Sequence, residues 1–244
     1  MQYVISFVVA LALLVVTSRL VHFRVMTALH GATRSERLAM LLFALLFLPG
    51  TVVHELSHWI AARGLGVAAG RVSLLPKPKG KQGLVLGSVM IGKTDPIRAS
   101  LIGVAPLAGG SLIVLLLVQH VLGVSGPEAL FYDENGLARL WGQIVNLFGT
   151  QDVWLYLYLL FTVSNNMLPS PSDRHAWPTL LAYAGIVAGV AFWFGGTPHI
   201  SGSLLNNLAL SADYLTFAFL VTVLLDAIAL IILVPVGFVL TWGL

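Results

Sequence analysis

Six apolar stretches divide the chain: residues 3–17, 38–62, 99–124, 153–168, 177–194 and 214–240. A bilayer core takes about 20 apolar residues per helix, with a range of roughly 17–25. Each stretch therefore reads as a crossing, the first somewhat short. No Lys or Arg precedes that first stretch and no small-residue cleavage site follows it, which marks an uncleaved helix rather than a signal peptide. Pro169 and Pro171 close the fourth stretch, and Gly195-Gly196 close the fifth. Tyr3, Trp154, Trp177, Tyr214 and Trp242 stand near stretch ends, as interfacial aromatic residues do. Between the second and third stretches, residues 72–75 and 84–91 are apolar and partly β-branched, and the basic segment 76–83 separates them. That pattern predicts a β-hairpin over 71–92, too short to span and too apolar for water, placed at the membrane interface. The expected fold is an all-α polytopic membrane protein with about six transmembrane helices and a small interfacial hairpin between helices 2 and 3. It forms a single membrane domain over 1–244.

Composition agrees with this architecture. Hydrophobic residues make up 58% of the chain, charged residues 9%, and mean hydropathy is +0.92. An ordinary soluble domain is about one-quarter charged, so a soluble enzyme, a disordered chain and a nucleic-acid-binding domain are excluded as expectations. The pI near 9.4 reflects a net charge of only +3, and its cations lie between apolar runs, where they act as topology signals. With six crossings, eight cations (Arg63, Arg71, Lys77, Lys79, Lys81, Lys93, Arg98, Arg174) share a side with the termini, and five (Arg19, Arg24, Arg34, Arg37, Arg139) lie opposite. The termini and the 63–98 loop are then cytoplasmic. Residues 125–152, with Glu128, Asp133 and Glu134, read as an outer loop with a short amphipathic piece. The absence of cysteine excludes disulfides and thiolate metal sites.

Chemistry enters in the second stretch. His54-Glu55-Leu56-Ser57-His58 is an H-E-x-x-H pattern in a chain with only 7 His. Positions i and i+4 share a helical face, so two imidazoles can reach one Zn²⁺ at about 2.0–2.1 Å. Glu55 beside them can accept a proton from a water and return it to a leaving amine. Three ionisable groups within five residues of a crossing are hard to retain for packing alone. The bland alternatives are a hydrogen-bonded polar cluster and a metal site without catalysis.

Two histidines leave zinc short of a third protein ligand. Glu36, Asp95 and Glu128 lie in loops or at stretch edges. Asp213 reads as the cap of the last helix, His120 ends the third stretch, His199 lies in an outer loop and Asp226 is deep in the sixth. Asp173 stands out by its context, 165–174, where a polar turn and two prolines end a helix. A broken helix is tolerated in a membrane where its backbone lines a cavity. The second and fourth stretches run the same way and end beside His58 and Asp173, which places both near the cytoplasmic face. His175 is the alternative ligand.

Two motifs now give the sequence a resemblance to a known family. His54-Glu55-x-x-His58, with Asn166-x-x-Pro169-x-Pro171-x-Asp173, resembles the signatures of the site-2 proteases, which are intramembrane zinc metalloproteases. A weaker third, Gly103-Val104-Ala105-Pro106-Leu107-Ala108-Gly109, is similar to the family's Gly-Pro segment, and the hairpin at 71–92 to its membrane-associated β-region. The resemblance covers about 38–175, a catalytic core of helices 2–4 and the hairpin, leaving 176–244 as two additional helices. It implies one Zn²⁺ per chain held by His54, His58 and Asp173, with Glu55 as catalytic base and Asn166 holding substrate or the site. The chain departs from the pattern at Arg174, where the family has Gly. It also departs in an Asn166-to-Asp173 spacing one residue shorter than the commonest form, and in Ala105 before Pro106.

The expected reaction is hydrolysis of a peptide bond in or near a transmembrane segment of a protein or peptide substrate, through zinc-activated water. The setting is the lipid bilayer of a bacterial or archaeal cell, with no nucleic-acid partner. Ser57, Thr162, Ser164, Asn165 and Asn166 are expected to line a water path. A substrate helix must unwind to be cut, and the hairpin edge at Val89 and Met90 can pair with the extended strand. A metal transporter and a non-cleaving binder of membrane helices are the competing classes. Asp226 reads as a neutral or hydrogen-bonded acid inside the bundle.

Overall fold

A computed structural model of the chain describes residues 2–74, 76–78, 84–85, 87–121, 136–149, 151–175, 177–193 and 202–241. The basic turn at Lys79 and Lys81, the acids Glu128, Asp133 and Glu134, and Gly195, Gly196, His199 and Trp242 lie outside these residues.

The chain is mostly helical. It runs α1 (Gln2–Thr33), α2 (Glu36–Leu46), α3 (Leu48–Gly64), β1 (Ala69–Ser73), β2 (Lys77–Pro78), β3 (Leu84–Val85), β4 (Ser88–Ile91) and α4 (Pro96–Leu116). α4 passes into a π-helical turn at Leu117–Val121, and α5 (Gly136–Leu147), α6 (Val153–Asn166), α7 (Trp177–Trp193) and α8 (Gly202–Thr241) follow. Three helical segments, Val4–Thr33, Pro96–Val121 and Leu205–Val239, are long and apolar enough to cross a membrane, and α2 with α3 makes a fourth if that bent pair is one span. Ile5, Phe23, Ile231 and Val239 are large apolar side chains left exposed on these helices, the surface a lipid-facing helix presents. The expected count of six is met only in part: the 14 residues of α6 fall below the range of roughly 17–25 that a crossing takes, and the 17 of α7 stand at its lower limit.

Three boundaries differ from expectation. The first helix continues past residue 17 to Thr33. Nothing in 18–33 breaks it, and Arg19, His22 and Arg24 ride within it, so Arg19 and Arg24 leave the tally of loop cations. The second stretch is bent by 74° between Leu46 and Leu48. Pro49, which lacks an N–H and sits in the first turn of α3, ends one helix and starts the next. The last helix begins at Gly202, not near 214, so Asp213 is buried within a 40-residue helix and does not stand at its start.

A hairpin forms over this segment, but its first long strand is Ala69–Ser73 rather than 72–75, and the expected strand 84–91 is divided into Leu84–Val85 and Ser88–Ile91. β1 pairs antiparallel with β4 through Ala69↔Ile91, Val72↔Val89 and Ser73↔Ser88, with an irregularity between Ala69 and Val72, and β2 pairs with β3. Gly66, at φ 70°, turns the chain from α3 into β1.

The core sits between α4, α6 and α8, where Val114, Val118, Leu157, Leu160 and Phe217 pack together. α1 joins them through a buried polar network. Thr17 Oγ1 donates to Asp226 Oδ2 at 2.6 Å, Asn165 Nδ2 donates to Asp226 Oδ1 at 2.9 Å, and Ser18 Oγ donates to Asn165 Oδ1. Asp226 is thus the hydrogen-bonded acid expected of it.

Candidate metal centre

α3 carries His54, Glu55 and His58 on its inner side, against α4 and α6. The packing is close because small residues permit it. A Cβ on Gly50 would overlap the Thr162 carbonyl of α6, and one on Gly103 of α4 would overlap the Asp173 carbonyl. Asp173 lies in the turn that follows α6. Met167 is the last residue bonded back into that helix. The Ser170 N–H donates to Asp173 Oδ2 at 2.7 Å, a local loop closure typical of Ser and Asp in turns.

These elements bring His54, His58 and Asp173 together, with one ligand atom from each lying within 4.8 Å of the others. His58 Nε2 stands 3.2 Å from Asp173 Oδ1, and His54 Nε2 stands 3.6 Å from Asp173 Oδ2. Three ligands about 2 Å from one ion at tetrahedral angles stand about 3.3 Å from each other, so the spacing suits a metal ion. Backbone carbonyls set the rings: His54 Nδ1 lies 2.7 Å from the Asn166 carbonyl, and His58 Nδ1 lies 2.8 Å from the Ile102 carbonyl. A carbonyl only accepts, so each Nδ1 carries the proton and each Nε2 is left facing Asp173. That is the arrangement of ligand histidines. Burial pushes the Asp173 carboxyl up, but when the imidazoles also carry a proton on Nε2 their hydrogen bonds, together with that of the Ser170 N–H, outweigh it and hold the group well below the usual carboxylate range. Asp173 is therefore an anion at neutral pH, as a metal ligand must be. His175 stays exposed in the same turn and outside this group.

Glu55 is buried, 7% exposed, and lines the same cavity as the three ligands. Gly87, just before β4, lies directly over it: a Cβ there would stand 2.7 Å from Glu55 Cγ and 2.9 Å from Oε1. The cavity measures about 1400 Å³, larger than the roughly 300–1,000 Å³ of a small-molecule pocket. β4 borders it through Ser88, Val89 and Ile91; Met90 is 72% exposed and is not among its lining residues. Asn165 and Asn166 reach the cavity, whereas Ser57, Thr162 and Ser164, expected along a water path, do not. Ser57 is turned to the Val53 carbonyl, and Thr162 and Ser164 are wholly buried in the bundle. Asn166 does more than face the cavity. Its carbonyl holds His54, and its side-chain Nδ2 donates to the Phe47 carbonyl at 3.1 Å, tying α6 to the break before α3.

Three contributors escaped sequence reasoning. Gly87 had a readable signal, a glycine inside an apolar strand run, which marks close backbone approach. The Ile102 and Asn166 carbonyls had none in their own side chains. Residues of α1, among them Leu11, Val15 and Arg19, also border the cavity. Comparison of the chain with protein families, with characterised proteins and with solved structures gives no match.

Proposed function

We propose that the chain is an intramembrane zinc metalloprotease, similar in design to the site-2 proteases, which hydrolyses a peptide bond in or near a transmembrane segment. The observation that carries the reading is the His54–His58–Asp173 group, with both imidazoles held by backbone carbonyls, beside a buried glutamate in a large cavity. Two imidazoles and one carboxylate suit zinc better than magnesium or calcium, and three protein ligands leave a fourth position open, as in catalytic zinc sites. The chemistry that a bound zinc ion supplies at such a site is polarisation of a carbonyl and a water acidified to a pKa of about 7.

The chain's own groups do the rest. Glu55 accepts the proton of the attacking water and passes it to the departing amine. Its burial keeps bulk water from competing for that proton. Asn166 holds His54 in its ring orientation. β4 offers a strand edge beside the cavity, with Val89 facing inward and Met90 outward, against which an unwound substrate pairs in extended form. The same reading takes all six apolar stretches as crossings, with the termini and the 63–98 segment cytoplasmic. Lys77, Lys93 and Arg98 on that segment support this orientation. A transport pathway would string ligands across the membrane, whereas the described residues contain one such group.

The test uses the purified protein in detergent with a single-span reporter whose membrane segment carries helix-weakening Gly, Asn and Pro residues. The wild type is expected to cleave it and to stop when a chelator is added. Glu55→Gln is expected to lose cleavage at least a thousandfold while keeping about one zinc per chain. Cleavage by Glu55→Gln at the wild-type rate overturns the proposed role.

A further inference from the structure

α4 contains Pro106 well inside its length. A proline has no backbone N–H, so the carbonyl four residues earlier loses its helical partner. That carbonyl belongs to Ile102, and it accepts the Nδ1–H of His58. Ile102 is 3% exposed and His58 6%, so a side chain supplies what a buried carbonyl otherwise lacks. His54 uses a carbonyl freed differently. Asn166 ends α6, and the Ser170 N–H that could have bonded back to it is turned to Asp173 instead.

We propose that Pro106 is a positioning residue of the metal centre: by withholding an N–H, it reserves the Ile102 carbonyl for His58 and so aims His58 Nε2 at the ion. The inference rests on the metal reading of the site. Any other residue at 106 restores the helical bond and makes His58 share its acceptor. Loss of such an outer hydrogen bond typically weakens metal binding 10- to 100-fold.

The experiment compares the full-length wild type, Pro106→Ala, and the paired change Ala105→Pro with Pro106→Ala, all in detergent. The pair keeps a proline in α4 but frees the Leu101 carbonyl instead. Zinc affinity is measured by chelator competition, and the His Nδ1–H signals by NMR of metal-free, ¹⁵N-histidine-labelled protein. Pro106→Ala removes a helix-interior proline, so the metal-free protein is expected to melt no lower than the wild type. Both variants are expected to bind zinc at least tenfold more weakly. In both, the His58 Nδ1–H signal shifts and exchanges faster with solvent while that of His54 holds. Zinc affinity within twofold of wild type in either variant overturns the proposal, as does equal disturbance of both histidine signals. A wild type that binds no zinc defeats the metal reading instead, and the metal-free His58 signal still tests the carbonyl.

Discussion

At the scale of residues, the site is a set of side chains whose freedom has been removed by backbone groups. Each imidazole has one nitrogen engaged by a carbonyl, and Asp173 is pinned by the Ser170 N–H. The donors themselves were legible: H-E-x-x-H spacing fixes a shared helical face, and Asp173 stood in a proline-broken turn. The backbone partners were less legible: the Asn166 carbonyl is free because α6 ends there and the Ile102 carbonyl because Pro106 withholds its partner, but neither fact says which histidine the carbonyl meets. Gly87 makes a test at this scale. Valine there drives a Cβ into Glu55 Cγ and Oε1. Gly87→Val is expected to lower kcat on the reporter at least tenfold with zinc content unchanged. Equal loss of zinc and activity would mean that the hairpin supports the ligands rather than the base.

At the scale of elements, apolar pattern located the helices better than it bounded them. Hydropathy does not separate a helix that continues through Arg19 and Arg24 from one that stops, since long basic side chains can reach the interface from within a helix. The α2–α3 break was readable in Pro49, but an unbroken apolar run hid it. Tyr158 and Asn166 of α6 donate to the Leu46 and Phe47 carbonyls at that break, contacts between elements that no local pattern encodes. The start of α4 was clearer. Asp95 Oδ1 accepts from the Arg98 and Ile97 N–H groups at 3.0 and 3.1 Å, an N-cap directly before Pro96. The bond from the Arg98 N–H is the main cause that holds its carboxyl below the ordinary value. A carboxyl lowered in the folded state stabilises it above the unfolded pKa of about 3.9, and the benefit disappears as pH falls through the lowered value. Asp95→Ala is therefore expected to lower the melting temperature at neutral pH, with the gap to wild type closing in acid. A gap that persists undiminished at the acid end would assign the loss to something other than the charged cap.

At the scale of the molecule, a candidate metal centre on α3, α4 and the turn after α6 is braced by a second polar cluster on α1, α6 and α8. Asp226, a lone buried acid in the sequence, turns out to be the hub of that brace, and its role could not be read without knowing which helices adjoin it. The partners differ in what they leave behind. Thr17 and Asn165 also bond to the Leu14 and Phe161 carbonyls, so Asp226→Leu strands little. Asn165→Leu strands both Ser18 Oγ and Asp226 Oδ1. With an unsatisfied buried group costing about 1–3 kcal/mol, Asn165→Leu is expected to be the more destabilising in thermal melts. Both variants should keep their zinc. The reverse order would place the weight of the brace on Asp226 itself.

The central claim is that one ion is gripped by α3 and by the turn after α6 together. Zinc content of the purified wild type, His54→Ala and Asp173→Ala, measured by atomic emission after removal of loose metal, tests it most directly. The account predicts about one zinc per chain in the wild type and near-complete loss in both variants, because neither leaves three protein ligands. Full zinc in Asp173→Ala beside loss in His54→Ala would contradict it.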